Sequence, residues 1–121
     1  MPENALGQML WNVSREEAEK LLSKEAIGTF LFRKDHYALV LQDILRRGLK
    51  VSLQCFTLTY LDPERIVRDR TVVYVHHTWM FYDDDPSLSG PAWDSVQGLL
   101  RSVEAVVRYP LQTQKINRIR A

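Results

Sequence analysis

Residues 28–33 read GTFLFR, a short apolar run that opens on glycine and closes on arginine. Period-two alternation places Phe30 and Phe32 on one face of a strand and Thr29, Leu31 and Arg33 on the other. With helices over both faces, the Arg33 guanidinium ends in or near the interior. A guanidinium keeps its proton, and leaving it unpaired there costs roughly several kcal/mol, so Arg33 needs an anion. Either the protein supplies that anion or a ligand does.

Upstream of this run, SREEAEKLL at 14–22 carries a helix start signal: Ser14 as N-cap, Glu17 to close a capping box, and Val13 placed to pack on Ala18. Ala18, Leu21 and Leu22 form its buried stripe. Downstream, after only Lys34 and Asp35, HYALVLQDI at 36–44 alternates as an antiparallel neighbour of GTFLFR would. Arg46-Arg47-Gly48 then turns the chain into KVSLQCFTLTY at 50–60, a third strand rich in β-branched and aromatic residues, which Asp62-Pro63 ends. TVVYVHHTWMFY at 71–82 reads as a fourth extended segment before the turn cluster DDDPSLSGP. Helical period returns in AWDSVQGLLRSVEAVVRY at 92–109, where Trp93, Val96, Leu99, Leu100, Val103, Val106 and Val107 recur at spacings of three and four, until Pro110. Helix, four strands, helix specifies an α+β fold in which a central antiparallel sheet is sandwiched between two helices.

The bulk numbers fit one domain spanning residues 1–121, with its core at about 11–111, an enlarged segment at 62–91 and a tail at 112–121. Of 121 residues 45% are hydrophobic and 26% charged, ordinary for a globular chain. Sixteen Lys and Arg against fifteen Asp and Glu leave a formal charge of +1, so the whole-molecule field favours neither nucleic acid nor an anionic membrane. No apolar run approaches the ~20 residues of a membrane span, and MPENALGQML lacks the basic start and apolar stretch of a signal peptide. The single cysteine, Cys55, forms no intrachain disulfide, which fits a reducing, cytoplasmic compartment.

Trp11, then SREEAEKLL, then GTFLFR and a following YALVL resemble the opening half of a Src homology 2 domain, the phosphotyrosine-binding module of signal transduction. That family carries a tryptophan, a helix of the form S-R-x-x-A-E-x-L-L and a strand of the form G-T-F-L-V-R. The match covers residues 11 to 59; residues 91 to 111 match the family's second helix only in type. The resemblance implies that Arg33 takes the phosphate through two parallel hydrogen bonds and that Arg15, at the first turn of the helix, is the second cation beside phosphate and ring. Guanidinium chemistry agrees, because its planar fork fits phosphate oxygens, and a helix N-terminus adds partial positive charge.

The sequence departs from the family in three places. Almost no loop follows Arg33, and Asp35 stands where a hydroxyl donor is common, so its carboxylate repels phosphate unless it points away. On the third strand Leu53, Cys55 and Thr57 replace the usual histidine and lysine, giving the pocket an apolar lower wall and leaving Lys34, His36 or backbone N–H groups to complete the phosphate shell. Tyr109-Pro110-Leu111 leaves little chain for a specificity loop. Retained phosphate arginines beside a rebuilt specificity side resemble the divergent members found in bacterial effector proteins, which act in the host cytoplasm.

The phosphotyrosine-binding set expected from this reading is Arg33, Arg15, Lys34, His36, Cys55 and Thr57, in a monomer that binds tyrosine-phosphorylated proteins or peptides with weak flanking selectivity. Without the family pattern, Arg33 reads as the partner of Asp35 or Glu17, Arg15, Lys34 and His36 as solvated turn residues, and Cys55 as a small buried side chain. The reading requires no cofactor, metal, nucleic acid or membrane. The alternative is a scaffold of the same fold that binds unphosphorylated partners. Catalysis is not expected: the phosphatase pattern C-x-x-x-x-x-R fails because Leu61 stands six residues after Cys55. His76 and His77 beside Asp83, Asp84 and Asp85 hold metal-ligand types, but on a strand adjacent residues face opposite sides. The tail cations Lys115, Arg118 and Arg120 read as a frayed, solvated end.

Overall fold

The computed structural model describes residues 2–82 and 88–112. The elements run α1 (Pro2–Leu6), a 3-10 turn (Gly7–Met9), α2 (Arg15–Leu22), β1 (Thr29–Arg33), α3 (His36–Leu49), β2 (Leu53–Leu61), β3 (Val67–Val75), β4 (Thr78–Phe81), α4 (Val96–Arg101) and β5 (Tyr109–Pro110). The fold is α+β: the described residues form four helices around one five-stranded sheet of order β4-β3-β2-β1-β5. Its hairpin neighbours are antiparallel, while β5 runs parallel to β1, so the sheet is mixed rather than purely antiparallel.

Alternation on β1 holds as read. Phe30 and Phe32 join Phe56, Leu58, Val72, Trp79 and Phe81 in a cluster that Leu6 of α1, Val96 and Leu99 of α4, and Val107 close. The opposite face carries two helices rather than one. There α2 lays Ala18 and Leu22 on Leu31, Leu61 and Val67, and α3 lays Ala38 and Leu41 on Leu53, Cys55, Val73, Val75 and Met80. Between these two apolar patches the register leaves polar cross-strand rungs: Arg33 opposite Thr57 and Thr57 opposite Thr71, then Thr59 opposite Asp69. The polar gap under two converging helices is what positions the site.

Four expectations need correction. HYALVLQDI is not a strand: residues 36–49 form α3, with Asp35 as its N-cap, accepting the Ala38 N–H at 2.9 Å. Ala38, Leu41 and Leu45 then recur at three and four, the spacing that buries one helical stripe, and this overrides the β-branched Val40 and Ile44. Arg46-Arg47-Gly48 therefore lies inside the helix, and the chain reverses at Lys50, whose φ of 56° is left-handed. Residues 71–82 are two strands, because His76 and His77 (φ 52° and 64°) make a two-residue turn that pairs Val75 with Thr78. The last helix is short, α4 ending at Arg101, with turns leading to β5, so Tyr109-Pro110 pairs beside β1 instead of stopping a longer helix.

Other boundaries agree with the sequence. The capping box at Ser14 and Glu17 is complete, each residue's side chain meeting the other's backbone N–H at 3.1 and 2.9 Å. Gly28, at φ +96°, starts β1 where a Cβ would lie 3.3 Å from the Arg108 side chain. No described helix is long and apolar enough to cross a membrane. Asp83, Asp84, Asp85 and the tail cations Lys115, Arg118 and Arg120 lie outside the described residues.

Candidate functional site

The chain leading into α2 is pinned to the end of β1 by the Trp11 N–H, which donates to Phe32 O at 2.8 Å. Three residues later Ser14 caps α2, so that helix starts beside Arg33. α3 starts there too, since β1 ends at Arg33 and Asp35 caps the next helix. An open cleft of about 470 Å³ results, within the size range of small-ligand sites, lined by Ser14, Arg15 and Glu17 on one side and Arg33, Lys34, Asp35, His36 and Tyr37 on the other. A larger hollow of about 680 Å³ runs along and beyond α4, but its Arg108 guanidinium already donates to the Glu104 and Ala105 carbonyls.

Arg33 forms the floor of the first cleft and is 1% exposed. Its Nε donates to Thr59 Oγ1 at 2.9 Å, and its Nη2 lies 3.1 Å from Asp35 Oδ2 and 3.5 Å from Asp69 Oδ1. The protein thus supplies the counter-ion that the sequence demands. Asp35 is the partner anticipated; Glu17 is not, being held in the capping box, and Asp69 takes the second place. Asp35 does not point away from the arginine, as a carboxylate next to a phosphate would have to, but directly at it. Nη1 has no hydrogen-bond acceptor among the described residues. Trp11 Nε1 is the one fully buried side-chain nitrogen or oxygen without a partner among the described residues.

Arg15 stands on the wall, 41% exposed at its side chain. It donates from Nε to Asp69 Oδ2 at 2.8 Å and from Nη2 to Val67 O at 3.0 Å, with Glu19 Oε2 at 3.9 Å from Nη1. Asp69 therefore ties both arginines together, and it accepts from Thr59 Oγ1 at 2.7 Å as well. Two guanidiniums facing two carboxylates make the resting floor close to neutral.

The remaining expected residues divide. His36 is exposed at the first turn of α3 and lines the cleft. Lys34 also lines it, but its ammonium donates to Gln42 Oε1 at 2.6 Å and Cys55 O at 2.8 Å and sits 4.2 Å from the Phe56 ring centroid. Burial pushes its pKa down. It holds β1 to α3 rather than offering a free charge. Thr57 is 3% exposed and donates to Asp35 Oδ1 at 3.1 Å, so it shapes the floor through the carboxylate. Cys55 is fully buried beneath α3 and does not line the cleft; burial pushes its thiol up to about 11. The apolar lower wall expected of Leu53 and Cys55 is instead covered by α3.

Sequence reasoning missed Asp69, Thr59 and Tyr37. Asp69 was legible in the alternation Val67, Asp69, Thr71, Val73, which puts it on the Arg33 face once β3 is extended to Val67. Among the described residues no three metal-ligand side chains gather, and His76 and His77 sit in the β3–β4 turn rather than on a strand. No family model matches the chain, and no curated protein matches it.

Proposed function

We propose that this protein is a phosphotyrosine-binding module of the Src homology 2 type, taking a tyrosine-phosphorylated protein or peptide into the cleft between α2 and α3. The observation that carries the reading is Arg33: a guanidinium buried at the floor of an open cleft that Arg15 also lines. A phosphate there receives the guanidinium fork from below, Arg15 from the wall, and the partial positive charge of two helix starts. Burial of the arginine makes each contact stronger than it would be in bulk water. A phosphotyrosine carries about −1.5 to −2 charges, enough to compete with single carboxylates for two arginines.

The reading is of binding without chemistry. The sole cysteine is sealed under α3 with its thiol pushed up to about 11, so it supplies no thiolate to attack a phosphoryl group. Tyr109-Pro110 is occupied in pairing with β1, which leaves little chain for a specificity loop beside α4 and favours weak flanking selectivity.

A second reading, a scaffold that binds unphosphorylated partners, is favoured by one observation: Asp35 and Asp69 already neutralise Arg33. Titration with a phosphotyrosine peptide and its unphosphorylated twin separates the two. Binding of the phosphorylated form alone supports the first; equal binding of both supports the second.

A further inference from the structure

A carboxylate at the floor of a phosphate site opposes its ligand, yet Asp35 is built into this one. Its two oxygens act differently. Oδ1 accepts the Ala38 N–H at 2.9 Å, capping α3, and the Thr57 hydroxyl at 3.1 Å. Oδ2 carries the ion pair to Arg33 Nη2 at 3.1 Å. The side chain keeps 25% of its surface exposed, in the cleft that it lines. A negative oxygen therefore already lies against Arg33 at the start of a 14-residue helix, where an incoming phosphate oxygen would make its strongest contacts. Asp69, likewise held by Arg15, Thr59 and Arg33, differs in place: it lies beneath the arginines and does not line the cleft.

Resting on the phosphotyrosine reading, we infer that Asp35 is an internal competitor that sets which anions the cleft accepts. Binding requires the ligand to take Arg33 from Asp35. A monoanion such as a carboxylate replaces one single charge by another and still loses its freedom of motion, so it gains nothing. A phosphomonoester dianion brings more charge and more acceptor oxygens, and it can also accept from the first N–H groups of α3. The class of ligand is thus narrowed to aryl phosphate dianions, and acidic peptides are excluded by the same residue that lowers affinity for phosphate.

The test is titration of phenyl phosphate and of benzoate into the full chain and into Asp35→Asn. Asparagine caps helices as well as aspartate does, and a thermal unfolding curve checks that the fold is kept. Asp35→Asn should bind phenyl phosphate at least about tenfold more tightly and acquire benzoate binding that the parent lacks. Adding Arg33→Ala should remove both gains. Asp35→Ser, which caps through a neutral hydroxyl, should repeat the result. Equal or weaker phenyl phosphate binding by both neutral variants overturns the competitor role while leaving the phosphotyrosine site standing. Failure of the parent and both variants to bind phenyl phosphate overturns the site itself, and the competitor with it.

Discussion

Arg33 Nη2 lies 3.1 Å from Asp35 Oδ2, although only Lys34 separates the two residues in sequence. Side chains two apart on a continuing strand would share a face, but here the strand stops at Arg33 and the carboxylate turns back as the cap of α3. The ion pair is thus a consequence of residues 36–49 being helical. Cap, counter-ion and cleft wall are one arrangement, made by the same switch from β1 to α3.

Arg15→Ala should weaken phosphotyrosine binding by only a few-fold, about 1 kcal/mol or less, because solvent competes for a cation that is 41% exposed. Arg33→Ala should cost far more. Calorimetric titration of both variants checks the order, and a larger loss at Arg15 would move the main anchor to the wall.

Phosphoserine peptides should bind poorly, since their short side chain cannot bring a phosphate down to Arg33 at the floor of the cleft. Among phosphotyrosine peptides of varied flanks, affinities should fall within roughly tenfold of one another, about 1.4 kcal/mol. An array of degenerate phosphopeptides reads both. One flanking position that demands a single residue type would reveal a specificity pocket in the segment 62–91.

Much of this was legible before the structure, for reasons that differ by residue. Ser14 and Glu17 announce α2 because capping is local chemistry, and Phe30, Phe32 and Arg33 announce β1 because alternation survives packing on both faces. α3 was not legible as a helix: Tyr37 through Leu41 is a continuous run that suits a strand or a helix, and the resemblance to a family with a strand there favoured the wrong choice. Asp35 as a cap and Ala38, Leu41 and Leu45 at helical spacing were the signals that decide it. The β3–β4 turn was hidden because His76 and His77 adopt positive φ without the glycine or asparagine that usually marks it. Asp69, the residue that joins the two arginines, shares its face with Thr71 and Val73 by simple alternation, but a strand begun at Thr71 leaves it out, and only the pairing of β3 back to Val67 brings it opposite Thr59.

Cys55 should be inert toward a thiol-directed reagent at about pH 8 in the native protein and react once the chain is unfolded in denaturant, because burial favours the neutral thiol. The sign of the linkage follows. Its folded value is raised from 9.0 to about 11, so the unfolded state loses the proton first and stability falls as pH rises across that window. Rapid native labelling would mean that α3 opens readily from β2.

Acid should act through Asp62 and Glu17. Arg68, donating to Asp62 from Nε at 2.8 Å, and the Ile66 N–H hold the Asp62 carboxyl below its ordinary value of 3.8, while the Ser14 N–H and hydroxyl do the same for Glu17. Depressed folded values mean stability that is complete above the ordinary carboxylate range and lost as pH falls through it. Denaturation midpoints measured down to about pH 3 should decline, and Asp62→Asn should flatten that decline. An unchanged acid limb in Asp62→Asn would remove it from this role.

Arg33→Lys tests the central claim most directly, by calorimetric titration of one phosphotyrosine peptide and its unphosphorylated twin into the parent and the variant. Lysine keeps the charge beside Asp35 and Asp69, which limits the loss of stability to about 1–3 kcal/mol and lets near-UV circular dichroism check the fold. It cannot reproduce the planar fork. The account predicts that the parent binds only the phosphorylated peptide and that Arg33→Lys, though folded, loses roughly 2–5 kcal/mol of that affinity. Phosphopeptide binding by Arg33→Lys equal to that of the parent would contradict the account, because the arginine would then serve only its internal carboxylates.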